Sequence, residues 1–171
     1  MASAVPVIHR RQPLPTRLQP VLVWAAAGLC GAILLAIVWQ AAGGGFALPN
    51  DRSIWLVLHL GSVVPALPLG AVVLFGRKGT ALHRRLGRVW AVLMLIGALS
   101  SFGLHSLMGH LSPIHLLSAL TIFAIPYGVR SAMRGDVARH QRTMVRVYIG
   151  LISAGLFAFM PGRLFGAWLF G

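Results

Sequence analysis

The sequence predicts an all-α integral membrane protein of five transmembrane helices, from its composition, its apolar segments and the placement of its basic residues. Of the 171 residues, 57% are hydrophobic and only 10% are charged, and the mean hydropathy is +0.81. Soluble domains carry about 25% charged residues. The two acidic residues, Asp51 and Asp136, are too few to solvate the surface of a soluble domain of this length.

Five apolar segments are long enough to cross a bilayer, which takes about 20 residues in a helix. They are apolar on every side, whereas strands of a membrane barrel alternate apolar and polar residues. We therefore predict a disordered cytoplasmic tail over residues 1–20, a first transmembrane helix over residues 21–42 and a four-helix core over residues 54–165. The predicted spans cover residues 21–42, 54–75, 86–108, 113–129 and 144–164.

The basic residues orient these spans. Thirteen of the fifteen lysines and arginines lie before the first span or in the second and fourth loops, at residues 77–88 and 130–146. Positive residues concentrate on the cytoplasmic side, so the pattern predicts a multi-pass protein with a cytoplasmic N-terminus. It predicts contact with anionic membrane lipids and argues against nucleic-acid binding, in spite of the net charge of +13.

Four histidines divide into two layers by depth. His59 and His115 lie toward the outer ends of the second and fourth spans, and His83 and His140 lie at the cytoplasmic entrances of the third and fifth. His59 and His83 are 24 residues apart, and His115 and His140 are 25 apart. Each interval contains an apolar span, a proline, a basic loop and a new helix start. The last four helices are therefore predicted to form two parallel copies of one hairpin, related by an axis along the membrane normal.

Histidines that face each other at equal depth are typical ligands of a b-type haem, whose iron takes two axial imidazoles. We predict one or two haems, held by His59 with His115 and by His83 with His140. His105 is a possible additional ligand, because it lies near the same face of the third helix as His83. Arginines near the inner pair would bind the anionic propionates, namely Arg84, Arg85, Arg88, Arg142 and Arg146.

Two other interpretations stay open. The histidines would be structural in a non-redox membrane protein, such as an assembly factor, a subunit of a complex or a small transporter. In the second interpretation, His59, His105 and His115 alone form a zinc or copper site. Hydrolysis is disfavoured, because no acidic residue is available in a span to orient a catalytic imidazole.

Three short motifs resemble those of a bacterial membrane-protein family, domain of unknown function 2306. They are LHRRLGRVW at residues 82–90, RGD at 134–136 and RHQRTMVR at 139–146, and the resemblance covers roughly residues 54–165. It implies a helical fold in the bacterial inner membrane, and the family name carries no activity.

The layout of the histidines is also similar to that of cytochrome b561-type proteins. Those proteins bind two b haems between four helices, with ligands from alternate helices on each side of the membrane. That similarity implies His59 with His115 on one side and His83 with His140 on the other. It further implies electron transfer, with a quinone or a redox partner protein as the exchange partner.

Overall fold

The computed structural model describes residues 18–43, 53–104 and 113–160, and its regular structure over these residues is helical. The predicted all-α class is therefore confirmed. The described helices are α1 (Leu18–Ala42), α2 (Ser53–Phe75), α3 (Ala81–Gly103), α4 (Pro113–Met133) and α5 (Val137–Phe157).

Three of these helices are long and apolar enough to cross a membrane. The qualifying stretches are Ile54–Phe75 in α2, Ala81–Gly103 in α3 and His115–Met133 in α4. The apolar run within α1, Pro20–Ala36, is shorter. The predicted membrane class follows from the three long spans, because each can cross the hydrocarbon region with its backbone hydrogen bonds satisfied internally.

The basic segments at residues 77–88 and 130–146 were predicted to be loops, and that prediction was wrong for most of their length. Only five residues separate α2 from α3, and three separate α4 from α5. Each connection contains a glycine with a positive φ, 79° at Gly79 and 80° at Gly135. A left-handed backbone of this kind favours glycine, which has no Cβ to clash.

A capping residue follows each of these glycines and starts the next helix. Thr80 Oγ1 accepts a hydrogen bond from the backbone N–H of His83 at 3.0 Å. Asp136 Oδ1 accepts one from the backbone N–H of Arg139, also at 3.0 Å. A capping side chain satisfies an N–H group that has no partner inside the helix. These caps explain why α3 and α5 begin before their apolar stretches and include the arginines.

Removal of the second cap should lower stability measurably. We expect Asp136→Ala to reduce the free energy of unfolding by about 1 kcal/mol, because the N–H of Arg139 loses its acceptor. Asp136→Asn should cost much less, since asparagine caps as well and the lost ion pair with Arg139 is exposed. Equilibrium unfolding in mixed detergent micelles measures both variants. If the two variants lost the same free energy of unfolding, the effect would come from the charge of Asp136 and not from capping.

The last four helices pack as a closed ring. α2 lies against α3, α3 against α4, α4 against α5, and α5 returns to α2, while α1 lies outside against α2 and α5. In this arrangement α2 and α4 face each other across the bundle, as do α3 and α5. Short turns make α2 and α3 antiparallel, and α4 and α5 likewise. The end of α3 contacts the start of α4 through Ser101 and Ser118, so each diagonal pair runs in the same direction.

One line of residues along α3 divides the bundle interior into levels. These residues are His83, Trp90 and Gly97, at intervals of seven. Seven residues advance a helix by about 10 Å and return to nearly the same face. We call the end that carries the arginine-rich helix starts the inner end. The inner level contains His83 and His140, the central level Trp90 and Tyr148, and the outer level His59 and His115.

The central level is a closed aromatic layer. Trp90 is 1% exposed and Tyr148 is 0% exposed, and their ring centroids are 6.4 Å apart. Both rings donate hydrogen bonds to carbonyl groups of α2: Trp90 Nε1 to Ala66 at 3.0 Å and Tyr148 Oη to Leu67 at 2.9 Å. These bonds join α3 and α5 to α2. The two rings lie between the inner and the outer level of histidines.

Candidate functional site

His59 of the outer level is fixed by the neighbouring helix. Its Nδ1 lies 2.9 Å from the backbone carbonyl oxygen of Gly97 in α3. A carbonyl oxygen only accepts hydrogen bonds, so this contact requires that Nδ1 carry the proton. In the neutral ring Nε2 then holds a lone pair, and a histidine binds a metal ion through such a nitrogen.

Ser100 lies beside the same carbonyl. Its Oγ donates to Gly97 at 3.1 Å and is 3.4 Å from Nδ1 of His59. The two side chains therefore share one acceptor, and Nδ1 with its proton cannot take a proton from the serine. The contact is not a nucleophile and base pair of the kind that hydrolysis requires.

His115 completes the outer level from α4. Its side chain is 7% exposed, and its ring centroid is 5.7 Å from that of Phe102 in α3. One turn further along α4, Ser118 accepts a hydrogen bond from Ser101 of α3 at 2.7 Å. Polar side chains at this level thus link α3 to both of its neighbours, α2 through His59 and α4 through Ser118.

At the inner level, His140 repeats the contact that His59 makes. Its Nδ1 lies 2.9 Å from the backbone carbonyl oxygen of Gly128 in α4. The same reasoning assigns a proton to Nδ1, and in the neutral ring Nε2 then holds the lone pair. Gly128 supplies the space for this close approach, because a Cβ there would collide with the side chain of Met144 in α5.

His83 is the second histidine of the inner level. It lies beside the backbone of Val73 in α2, and its Nδ1 is buried with no hydrogen-bond partner among the described residues. It interacts electrostatically with His140, Lys78 and Arg84. The two inner histidines therefore lie within electrostatic range of each other, although they belong to helices on opposite sides of the ring.

The predicted propionate ligands lie on the bundle surface. The side chains of all five are exposed, and three of their guanidinium groups donate to carbonyls of their own segment. Of the five, Arg84 interacts electrostatically with His83 of the inner level. The exposed set is Arg84, Arg85, Arg88, Arg142 and Arg146.

Other site predictions have different outcomes. His105, the predicted additional ligand, lies outside the described residues, so the site of His59, His105 and His115 stays a prediction. Within residues 18–43, 53–104 and 113–160, no group of three or more histidine, cysteine or acidic residues is placed to hold a metal ion. The carbonyl partners Gly97 and Gly128 were not predicted, because a backbone acceptor has no sequence signal.

The chain is thus defined as a helical membrane protein with partly buried histidines on either side of two buried aromatic residues. It belongs to the family described as a predicted membrane protein (DUF2306), which it matches over residues 56–165. The resemblance of its three motifs to this family is therefore confirmed. No curated protein and no solved structure matches the chain in the comparisons made.

Proposed function

We propose that the protein binds one or two b-type haems between paired histidines and transfers electrons in the bacterial inner membrane. In this proposal all five helices cross the membrane, with the N-terminus and the arginine-rich helix starts on the cytoplasmic side. His59 and His115 hold a haem at the outer level, and His83 and His140 hold one at the inner level. The haem supplies one-electron redox chemistry.

The hydrogen bonds of His59 and His140 carry the proposal. Each donates Nδ1–H to a glycine carbonyl at 2.9 Å and so presents Nε2 as a lone-pair donor. Histidines that bind metal ions usually donate their other ring nitrogen to a carbonyl or carboxylate, which sets both the tautomer and the ring orientation. The two histidines come from different hairpins and from opposite ends of the bundle, yet both make the same hydrogen bond to a glycine carbonyl of a neighbouring helix.

The bundle geometry fits paired ligation. The members of each pair lie on helices that face each other across the ring, and bundles commonly build cofactor sites from facing helices. At the inner level, the buried Nδ1 of His83 makes no hydrogen bond among the described residues, and in the tautomer that leaves its lone pair free it would bind a metal ion. Arg84 lies within electrostatic range of His83 and would interact with a propionate.

Similar turns support the proposal of two parallel hairpins. Gly79 and Gly135 both have positive φ and both precede a helix-capping residue. A Pro-x-Gly sequence stands before each turn, at 68–70 and 126–128. A twofold axis between the hairpins would bring His83 and His140 together at one level, in line with their electrostatic interaction.

An alternative has its own supporting observation. The carbonyl contacts of His59 and His140 also join neighbouring helices, as those of Trp90 and Tyr148 do. Hydrogen bonds of this kind stabilise helix packing in membranes without any cofactor. On this alternative the protein is a non-redox membrane protein with structural histidines, such as an assembly factor, a subunit or a small transporter.

A difference spectrum distinguishes the two functions. The full chain is expressed with ample haem, purified in detergent and measured as reduced-minus-oxidised absorption. We expect b-type bands that His59→Ala and His115→Ala remove from the outer site, and that His83→Ala and His140→Ala remove from the inner site. His9→Ala, in the predicted tail, is the control and should leave the spectrum unchanged.

A colourless wild-type protein would refute haem binding and favour the structural alternative. Loss of all bands in only one pair of variants would reduce the proposal to one haem. The electron donor and acceptor are proposed to be external, a membrane quinone or a redox partner protein, and oxidation of the reduced protein by a short-chain quinone tests the first of these.

A further inference from the structure

The exposed face of α3 combines a cationic start with an apolar continuation. Arg85 and Arg88 are exposed near the inner end of the helix. Along the same face, Val89 is 52% exposed and Val92 is 55% exposed. At about 100° per residue, Arg85, Val89 and Val92 lie within one narrow stripe that points away from Trp90 and the bundle interior. We call this stripe the α3 lipid surface.

α5 repeats this surface on the opposite side of the ring. Arg142 and Arg146 are exposed at its inner end, and Ile149 and Leu156 are exposed further along the same face. On α3 the exposed residues that follow the arginines on this face are apolar, and on α5 they are apolar apart from the half-buried Ser153. We call the second stripe the α5 lipid surface.

The guanidinium groups lean toward the inner end. Arg88 Nε donates to the carbonyl of Arg84, and Arg142 Nε donates to that of Ala138, both at 3.3 Å and one turn back toward the helix start. Side chains on a helix point toward its N-terminus, so these arginines extend out of the apolar zone toward the headgroup region. Most of their five N–H donors remain available for an outside acceptor.

These positive charges have no partner within the described protein. The one ion pair among the described residues joins Arg139 to Asp136, and Asp51 is the only other acid in the sequence. Charge complementarity therefore favours an anion from outside the protein, and headgroup phosphates are the anions at the surface of a membrane.

We propose that the α3 and α5 lipid surfaces each bind an anionic phospholipid. The paired arginines bind the headgroup phosphate, and the acyl chains lie along the exposed apolar residues of the same helix. The exposed apolar residues beyond the arginines, such as Val89 and Val92 on α3 and Ile149 and Leu156 on α5, favour a lipid over a soluble phosphate. Arginine suits this role because its planar guanidinium group binds two phosphate oxygens at once.

Competitive lipid binding tests this proposal. The purified full chain is mixed with equal amounts of phosphatidylglycerol and phosphatidylcholine that have identical acyl chains, and retained lipids are counted by native mass spectrometry. We expect the wild type to retain phosphatidylglycerol in preference, at two sites. Arg85→Gln with Arg88→Gln should weaken one site roughly thirtyfold, because the phosphate loses its charge-assisted hydrogen bonds to both guanidinium groups.

A charge-matched control separates a site from general attraction. Arg77→Gln with Lys78→Gln removes the same charge from the turn between α2 and α3 and should leave both sites within about twofold of wild type. Equal weakening in the two double variants would overturn the proposal. Equal retention of the two lipids by the wild type, or displacement of the lipid by inorganic phosphate, would overturn it without any variant.

Discussion

Replacing Trp90 with alanine is expected to lower the free energy of unfolding by about 3 kcal/mol. The side chain is 1% exposed, packs against Tyr148 and donates a hydrogen bond to Ala66 of α2. Its removal leaves a cavity in the central level and a carbonyl without its side-chain donor. The expected value is at the low end for a buried aromatic residue, because lipid tails are as apolar as a protein core and remove part of the transfer contribution.

Two tryptophan variants serve as controls in the same unfolding titration. Trp90→Phe keeps most of the ring and loses the N–H donor, so we expect a loss of about 1 kcal/mol. Trp24→Ala removes a side chain of α1 that is 76% exposed, and we expect a change within about 0.5 kcal/mol. If Trp90→Ala were as mild as Trp24→Ala, the central level could not be a packed layer.

Gly70→Ala is expected to cost about 2 kcal/mol, although it adds a single methyl group. A Cβ at this position would lie 2.5 Å from Cε2 of Tyr148 and 2.6 Å from Nε1 of Trp90. Neither ring moves easily, because both are buried and both are hydrogen-bonded to α2. Overpacking of a tight interior typically costs about 1–3 kcal/mol.

Gly61→Ala is the matched control, since Gly61 lies in the same helix and a Cβ there would meet no atom within 4 Å. Alanine favours a helix over glycine by up to about 1 kcal/mol, so this variant should be neutral or slightly more stable. Opposite signs for the two substitutions in one unfolding assay are the expected result. Equal effects would mean that the two rings do not meet at Gly70.

The helix boundaries show where sequence reasoning succeeded and where it was limited. The apolar runs located α2 within a residue of its observed start, because the thickness of a bilayer sets the length of a span. The same reasoning predicts starts for α3 and α5 that are several residues too late, because it assigns charged residues to loops. The caps at Thr80 and Asp136 start these helices among the arginines.

The candidate site was likewise only partly predictable. The sequence placed one of the four candidate histidines on each of the core helices α2 to α5, and their division by depth in the membrane stays a prediction. It could not identify the carbonyl partners Gly97 and Gly128, because a backbone oxygen is available at every residue. Nor did it indicate that Arg85 and Arg142 would be exposed on outward faces, because that depends on how each helix is rotated in the bundle.

Composition and hydropathy by themselves determined the class of this protein, because membrane insertion depends on the summed apolarity of each segment and not on its neighbours. Only the tertiary structure decided which helices face each other, which ring nitrogen of His59 and His140 is protonated, and why Gly70 is a glycine. Those properties arise from contacts between distant residues, such as the bond from Tyr148 to Leu67 across 81 positions of sequence. Helix packing brings such residues together.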